Sequence, residues 1–311
     1  MDLFEPARWS TPLRGAWLQN EPMARHVSWR TGGAAERMYV PTDIDDLSAM
    51  LRQLPVSTPV TFIGLGSNTL VRDGGIAGVV VLMHAAGLHP VIRHERVWVP
   101  AGAASPKVAR FAALHDRVGA EFLAGIPGTF GGALAMNAGC YGADTWSIVE
   151  QVQTIDRLGV LRWHTPQAFD IGYRHCQLRD TQPDTAVWFT AAVLNLAHGD
   201  GLASRAKIKA LLQQRIATQP LQLPNAGSVF RNPPGDHAAR LIEQCGLKGL
   251  VRGGARISEK HANFIVNPKG LGSAADIEWL IHSARNTVHE KTGVALQPEV
   301  RLLGEVRTCV L

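Results

Sequence analysis

Residues 62–75 read FIGLGSNTLVRDGG, and the reading of this stretch decides the fold. An apolar run ending in Gly64-Leu65-Gly66 resembles a strand that feeds a dinucleotide-binding turn. The G-x-G-x-x-G pattern fails at its third glycine, where this chain has Thr69. That pattern also requires a helix directly after the turn, so that its N-terminus can hold a pyrophosphate. Here Asn68, Asp73, Gly74 and Gly75 are turn formers, and 79–83 is another apolar run of strand type. The segment is strand–turn–strand, which does not suit a Rossmann domain. Glycines still allow a concave turn of backbone N–H groups, which holds an anion without any helix. Gly64, Gly66, Ser67 and Asn68 fit such a grip, with Gly66 leaving room for phosphate oxygens. The plainer alternative is a tight loop between strands.

Working outward, the 311 residues suffice for two or three domains. Hydrophobic residues are 46% and charged ones 18%, which favours a well-buried core over disorder. The net charge of +5 is mild and scattered, with no basic stripe interleaved with aromatics. An anionic small molecule therefore explains it as well as nucleic acid does. Cys140, Cys176, Cys245 and Cys309 stand far apart, without C-x-x-C or metal-ligand spacing. They read as free thiols in a reducing compartment, and no metal site is expected. The start, MDLFEPARWS, lacks the charge order of a signal peptide, and no apolar run is long enough for a membrane helix. A cytoplasmic protein is expected.

Periodicity gives the organisation. A helix is expected at 42–54 with Thr42 or Asp43 as its cap and Ile44, Leu47 and Leu51 on one face. Strands follow at 60–65, 78–83 and in the pair 90–94 and 96–103. SPKVARFAALHDRVGA predicts a helix opened by Ser105 as cap, with Pro106 in its first turn. Residues 147–164 form a hairpin turning at 157–159, and 186–196 is a further strand. Three helices follow from 201 onward, the last with Ile277, Leu280, Ile281, Ala284 and Val288 on one stripe and Gly293 as its stop. The expected boundaries are an N-terminal extension 1–25, a first domain 26–200 in two parts (about 26–85 and 86–200), and a C-terminal domain 201–311.

The glycine-rich run 125–142, GIPGTFGGALAMNAGCYG, carries no charge and suits backbone packed against something large and flat; close helix–sheet packing is the alternative. Together with SWRTGGAAERMYVP (28–41) and GLGSNTLVRDGG (64–75), it resembles the flavin-binding part of the UDP-N-acetylenolpyruvoylglucosamine reductase family. GYR (172–174), PNAGSVFRNP (224–233), LIEQCGLKG (241–249), ISEKHANFIVN (257–267) and LQPEVRLLG (296–304) resemble that family in the same order. The resemblance implies an α+β protein with the vanillyl-alcohol-oxidase (PCMH)-type FAD-binding fold in two subdomains and a C-terminal substrate domain. Non-covalent FAD is then expected along Thr31, Gly32, Gly64, Gly66, Ser67, Asn68, Gly128 and Thr129, with NADPH as electron donor.

The implied reaction, a step of peptidoglycan synthesis, reduces an enol-ether double bond beside a carboxylate in a UDP-sugar. Hydride added to that bond leaves an enolate-like anion, which needs a cation and then an acid. By resemblance Arg174 is the cation and Ser228 the proton donor, while Glu299 stabilises the intermediate or assists protonation. Asn232 matches a substrate-binding position; Arg231, Lys260 and His261 are candidates for the sugar-nucleotide diphosphate. Taken alone, each of these residue types is more often an ordinary turn or surface residue. Cys176 departs from the family, which often has Ser two residues after the arginine. Only residues 175–185 separate Arg174 from the strand expected at 186, too few for the loop of the longer subtype, so the chain resembles the shorter second subtype. A monomer is favoured. Rival readings are an oxygen-using oxidase on the same fold, a flavin-binding electron-transfer subunit, and a nucleotide-binding module without chemistry.

Overall fold

The computed structural model describes residues 12–85, 89–179 and 186–307. Within it, residues 62–75 run from strand Val60–Ile63 through a loop into strands Thr69–Val71 and Ile76–Leu82. The first lobe is a four-stranded sheet ordered Ala16–Pro22, Ala34–Val40, Ile76–Leu82, Val60–Ile63. Its last three strands are mutually parallel. Such strands are buried on both faces, which explains the unbroken apolar run at 79–83. Tyr39, Val79 and Val81 meet helix α1 (Ile44–Gln53) through Leu47, Met50 and Leu51, while Met38, Val80 and Leu82 face Met23 and Val27. Asp43 caps α1 by accepting Asp46 N–H at 2.9 Å.

Two expected boundaries are corrected. Residues 16–22 are not an extension but the antiparallel edge strand of this sheet, paired with Ala34–Val40. An edge strand with one face in water carries a weak apolar signal, which hid it in the sequence. The second correction concerns the helix Gly201–Thr218, described below with the core that it joins.

The second lobe is a five-stranded antiparallel sheet ordered Leu161–His164, Val149–Asp156, Val187–Leu194, Arg96–Pro100, Val91–Arg93. Helices α2 (Ser105–Leu114) and α3 (Phe130–Ala135) cover it, with Val108, Ala112, Phe130 and Leu134 buried together. Ser105 is the first residue of α2 rather than its cap; its N–H already goes to Gly128 O at 2.9 Å, and Ala104 holds the cap position. Helix α4 (Gly201–Thr218) buries Ile208 in this same core, and Ser204 Oγ donates to Glu121 Oε1 at 2.5 Å. It thus belongs with the second lobe, and the C-terminal domain starts after it rather than at 201.

That domain packs α5 (Ala238–Gln244) and α6 (Ala274–Thr292) on the strands Val251–Arg252, Ala255–Ile257 and Ile265–Val266. The stripe Ile277, Leu280, Ile281, Ala284 and Val288 is buried. Ser273 and Asp276 form a capping box, and Gly293 ends α6 in the left-handed region at φ +74°.

The chain then returns to the first lobe, where Arg301–Leu303 pairs in parallel with Thr69–Val71. Trp29 Nε1 donates to Ile265 O at 2.7 Å, and Asn267 Nδ2 to Trp29 O at 2.9 Å. The Arg72 guanidinium grips Glu278 with both Nε and Nη2, and Asp73 accepts the N–H groups of Ala274 and Ala275 at the start of α6. The 64–68 loop is therefore pinned to the C-terminal domain.

Cys140, Cys176 and Cys245 are free, and Cys309 lies outside the described residues, as do 180–185 of the short span after Arg174. Among the described residues no helix is long and apolar enough to cross a membrane, and no group of three or more His, Cys, Asp or Glu can hold a metal.

Candidate active site

The two glycine-rich segments meet. A Cβ added to Gly64 would lie 2.3 Å from Thr129 Oγ1, and one added to Gly128 would lie 2.9 Å from Ser67 Oγ. Thr129 is fixed as the cap of α3, its Oγ1 accepting Gly132 N–H at 3.3 Å. Beyond Ser67 Oγ, nothing stands near the Cβ direction of Gly128, so that position faces open space. Among the described residues the backbone N–H groups of Gly66, Ser67 and Asn68 meet no acceptor. Three successive free N–H groups beside a face that glycine keeps open make a concave anion site.

Gly66 has a different role from the one its sequence context suggested. It sits at φ +58°, and a Cβ there would be 2.2 Å from His26 O and 2.6 Å from Val27 Cα. The space it leaves is filled by the backbone of residues 26–27, not by a ligand. Its carbonyl accepts Ser28 N–H at 3.1 Å. Gly32, at φ +121°, comparably lets its segment close on Val71 O, with the neighbouring Thr31 buried. His84, which the sequence reading missed, places Nδ1 3.0 Å from Gly64 O. A carbonyl only accepts, so Nδ1 carries the proton; burial lowers the imidazole pKa and favours its neutral form.

Arg174 and Glu299 come together from different domains. Arg174 sits in the two-residue turn between Phe169–Gly172 and His175–Leu178, in the left-handed region at φ +55°. Its Nε donates to Glu299 Oε1 at 2.8 Å and its Nη2 to Gly139 O at 2.9 Å; Nη1 lies 3.4 Å from Asn137 O. Three of the five guanidinium N–H groups are thus used and two remain. The Tyr173 ring stacks 5.0 Å from the guanidinium carbon. Cys176 leaves this charge intact: its thiol, pushed up to about 12 by burial, packs against the second-lobe core.

The Glu299 backbone is held on both sides. Its N–H goes to Val229 O at 2.7 Å, and its carbonyl accepts Asn68 Nδ2 at 3.1 Å. The first contact runs along a short pairing of residues 229–231 with 297–300, with Phe230 opposite Pro298. Ser228 precedes this pairing and is half-buried, and among the described residues its hydroxyl has no hydrogen-bond partner. Burial raises the Glu299 carboxyl above its ordinary value, and the nearby Arg174 and Arg231 pull it down without cancelling that effect. Arg174 and the Glu299 carboxyl group thereby meet next to the Asn68 end of the anion loop, and Ser228 is one residue before Val229, which holds the Glu299 backbone.

Comparison with known proteins decides the family. The reductase of this name from Thiobacillus denitrificans is 54% identical over 307 residues, covering 94% of each chain. That from Methylococcus capsulatus is 54% identical over 308 residues, covering 97% of each. The chain belongs to the UDP-N-acetylenolpyruvoylglucosamine reductase family. Residues 219–303, beginning directly after α4, match the UDP-N-acetylenolpyruvoylglucosamine reductase C-terminal domain, and 35–164 match an FAD binding domain. The crystal structure of the Thermus caldophilus reductase superposes with a TM-score of 0.78 at 29% identity, over 93% of this chain and 99% of that one. The chain is thus an oxidoreductase with the PCMH-type FAD-binding fold, and FAD is its cofactor. The free N–H groups of residues 66–68 and the open face at Gly128 fit FAD.

The other residues expected to act in a UDP-N-acetylenolpyruvoylglucosamine reductase are spread more widely. Asn232 is exposed and its Oδ1 accepts Ala238 N–H at the start of α5. Arg231 has a buried Nε without an acceptor. Lys260 donates to Ile216 O at 2.7 Å, at the end of α4, beside a cavity of about 430 Å³. His261 packs edge-on against Phe264, and burial lowers its pKa. Neither Lys260 nor His261 is brought to Arg174. A second cleft of about 400 Å³ is lined by Ser28, Arg30, Ser67, Arg215, Asn225 and Gly227, among others. Arg215 carried no sequence signal, being one more basic residue on the helix Gly201–Thr218.

Proposed function

We propose that this protein reduces the enolpyruvyl group of UDP-N-acetylglucosamine enolpyruvate to give UDP-N-acetylmuramate, in the cytoplasm, as a step of peptidoglycan synthesis. The observation that carries the reading is the Arg174–Glu299 contact next to Ser228, across from a loop suited to a flavin dinucleotide. Thr31, Gly32, Gly64, Gly66, Ser67, Asn68, Gly128 and Thr129 would form the FAD site, some of them by shaping backbone rather than by touching the cofactor. FAD held there would supply, at N5, a hydride that originates from NADPH.

The chain's own residues do the rest. The two remaining N–H groups of Arg174 bind the substrate carboxylate and stabilise the charge that grows there as the terminal carbon gains hydride. Ser228 Oγ gives its proton to the adjacent carbon, completing a lactyl ether. A hydroxyl is a weak acid, so this donation suits a strongly basic, carbanion-like centre and few others. Glu299, held in the same place by its backbone, orients Arg174 and steadies the intermediate. Asn232, Arg231, Lys260 and His261 serve the sugar nucleotide as binding residues.

The test separates two half-reactions. With Ser228→Ala, anaerobic bleaching of the flavin band by NADPH should stay near wild type, since it needs no proton delivered to substrate carbon. Reoxidation by the enolpyruvyl sugar nucleotide should slow by roughly 10²–10⁴-fold. Unchanged reoxidation would leave Ser228 as a turn residue only.

A further inference from the structure

Asn137 follows α3 and takes the left-handed region at φ +38°, its backbone N–H donating to Leu134 O at 3.1 Å. Glycine serves such a helix end at least as well, so the backbone alone does not call for an amide side chain. That side chain is buried, and both of its partners lie outside the helix. Nδ2 donates to Gly172 O at 3.0 Å, and Oδ1 accepts Trp146 N–H at 3.2 Å. A carbonyl only accepts and an N–H only donates, so the two bonds fix which way the amide points. Gly172 pairs with His175 across the turn formed by Tyr173 and Arg174, so the amide holds the base of the turn that carries the arginine.

The main chain of the same segment meets the guanidinium. Asn137 O faces Arg174 Nη1, and Gly139 O accepts Nη2. Ala138 between them is held in turn, its carbonyl accepting the N–H of Thr145 at 3.0 Å and its hydroxyl at 2.6 Å. At the other end of α3 stands Thr129, beside the open face at Gly128. Helix α3 has six residues, so its ends lie roughly 9 Å apart at ~1.5 Å per residue. We propose that Asn137 is a positioning residue for the reduction, its side-chain amide setting where Arg174 lies relative to the flavin-binding face. This rests on the reading of Arg174 as the cation that binds the substrate carboxylate. Without the amide the hairpin turn loses its tie to α3, and a displacement of about 1 Å in a reacting site costs on the order of 10²-fold in rate.

Asn137→Gly removes the amide while keeping the left-handed backbone and the carbonyl that faces Nη1. The FAD-loaded protein is reduced with dithionite, and reoxidation of its flavin by saturating enolpyruvyl sugar nucleotide is followed by absorbance. Asn137→Gly should slow this step roughly 10- to 100-fold at wild-type FAD content. Combined with Arg174→Ala it should be no slower than Arg174→Ala alone, because an effect exerted through the arginine disappears with it. If the glycine variant does not retain FAD, Asn137→Asp enters the same cycle. It keeps the bond from Trp146 and replaces the donation to Gly172 by a repulsion between two acceptors. Reoxidation at the wild-type rate in the FAD-retaining variant, beside a slow Arg174→Ala, would overturn the proposal and leave Asn137 as a helix cap. Losses that multiply in the double variant would overturn it too, since Asn137 would then act on something other than the arginine. An Arg174→Ala variant that reoxidises at the wild-type rate would instead overturn the reading of Arg174, and the proposal with it.

Discussion

Arg174 Nε and Glu299 Oε1 lie 2.8 Å apart although 125 positions separate the two residues in the chain. The arginine projects from a hairpin turn in the second lobe, and the glutamate is clamped between the first lobe and the C-terminal domain. One hydrogen bond thereby ties the hairpin turn that carries Arg174 to a segment held by the other two parts of the protein.

Arg174→Ala should lower turnover by about 10²–10³-fold, the usual effect of removing one donor from a developing anion in an enclosed site. Arg174→Lys should recover only a fraction, because an ammonium cannot hold Glu299 and two carbonyls while also presenting a fork. Steady-state NADPH oxidation with the enolpyruvyl substrate measures both. Near-normal turnover of the alanine variant would remove Arg174 from the mechanism.

Gly66 and Gly128 should respond differently to the same substitution. Gly66→Ala forces a Cβ onto His26 O and demands a left-handed backbone, so the apoprotein itself should melt several degrees lower. Gly128→Ala meets only the Ser67 hydroxyl, which can rotate away; apoprotein melting should barely change while FAD affinity drops. Thermal melts of the apoproteins and flavin-fluorescence titrations separate the effects. An equal loss of stability in both would contradict the assignment of Gly128 to the open face.

Glu299 gives a pH prediction with a definite sign. Its folded-state pKa is raised above the ordinary 4.5, chiefly by burial. The stability it contributes is fully present below that ordinary value and is lost as pH rises through the folded-state value. Glu299→Gln carries no such ionisation. Its melting temperature relative to wild type should therefore increase as pH is taken from about 4.5 towards neutrality. A difference that does not vary with pH would mean that Glu299 is as free to ionise in the fold as outside it.

Glu278 should behave in the opposite way. The Arg72 guanidinium holds its carboxyl below the ordinary value, so its contribution exists above that value and disappears as pH falls through the lowered one. Glu278→Gln should cost about 0.5–1 kcal/mol at neutral pH, as expected of a partly exposed ion pair, and less at an acidic pH below the ordinary carboxylate range. Denaturant melts at the two pH values check this.

Much of this was legible in the sequence because single local signals were strong. Asp43, one of the two cap candidates, Gly293 as a stop and the buried stripe of α6 follow from short-range rules and were found in place. The strand-turn-strand reading of 62–75 held for the same reason: turn formers at Asp73, Gly74 and Gly75 leave no room for a helix. What failed depended on distant partners. Ala16–Pro22 is a strand only because Ala34–Val40 pairs with it. Helix α4 looked like the start of a new domain, yet Ser204 and Ile208 tie it to the second lobe. Gly66 drew the right attention for the wrong reason, since no pattern reveals that His26 and Val27 fill the space beside it.

The parallel pairing of Thr69–Val71 with Arg301–Leu303 bears on how the protein is made. Asn68 and Glu299, which flank those strands, are 231 positions apart. At a synthesis rate of about 5–20 residues per second, roughly 10–50 s pass between the emergence of one and the other from the ribosome. During that interval the growing polypeptide already has its glycine loops but not the strand that pins them or the carboxyl group that receives Arg174. A chain interrupted before residue 299 is left with half a reaction centre and an open strand edge available to the wrong neighbour. Emergence of residues 299–303, not folding of the first two hundred residues, is the event that brings Glu299 to Arg174.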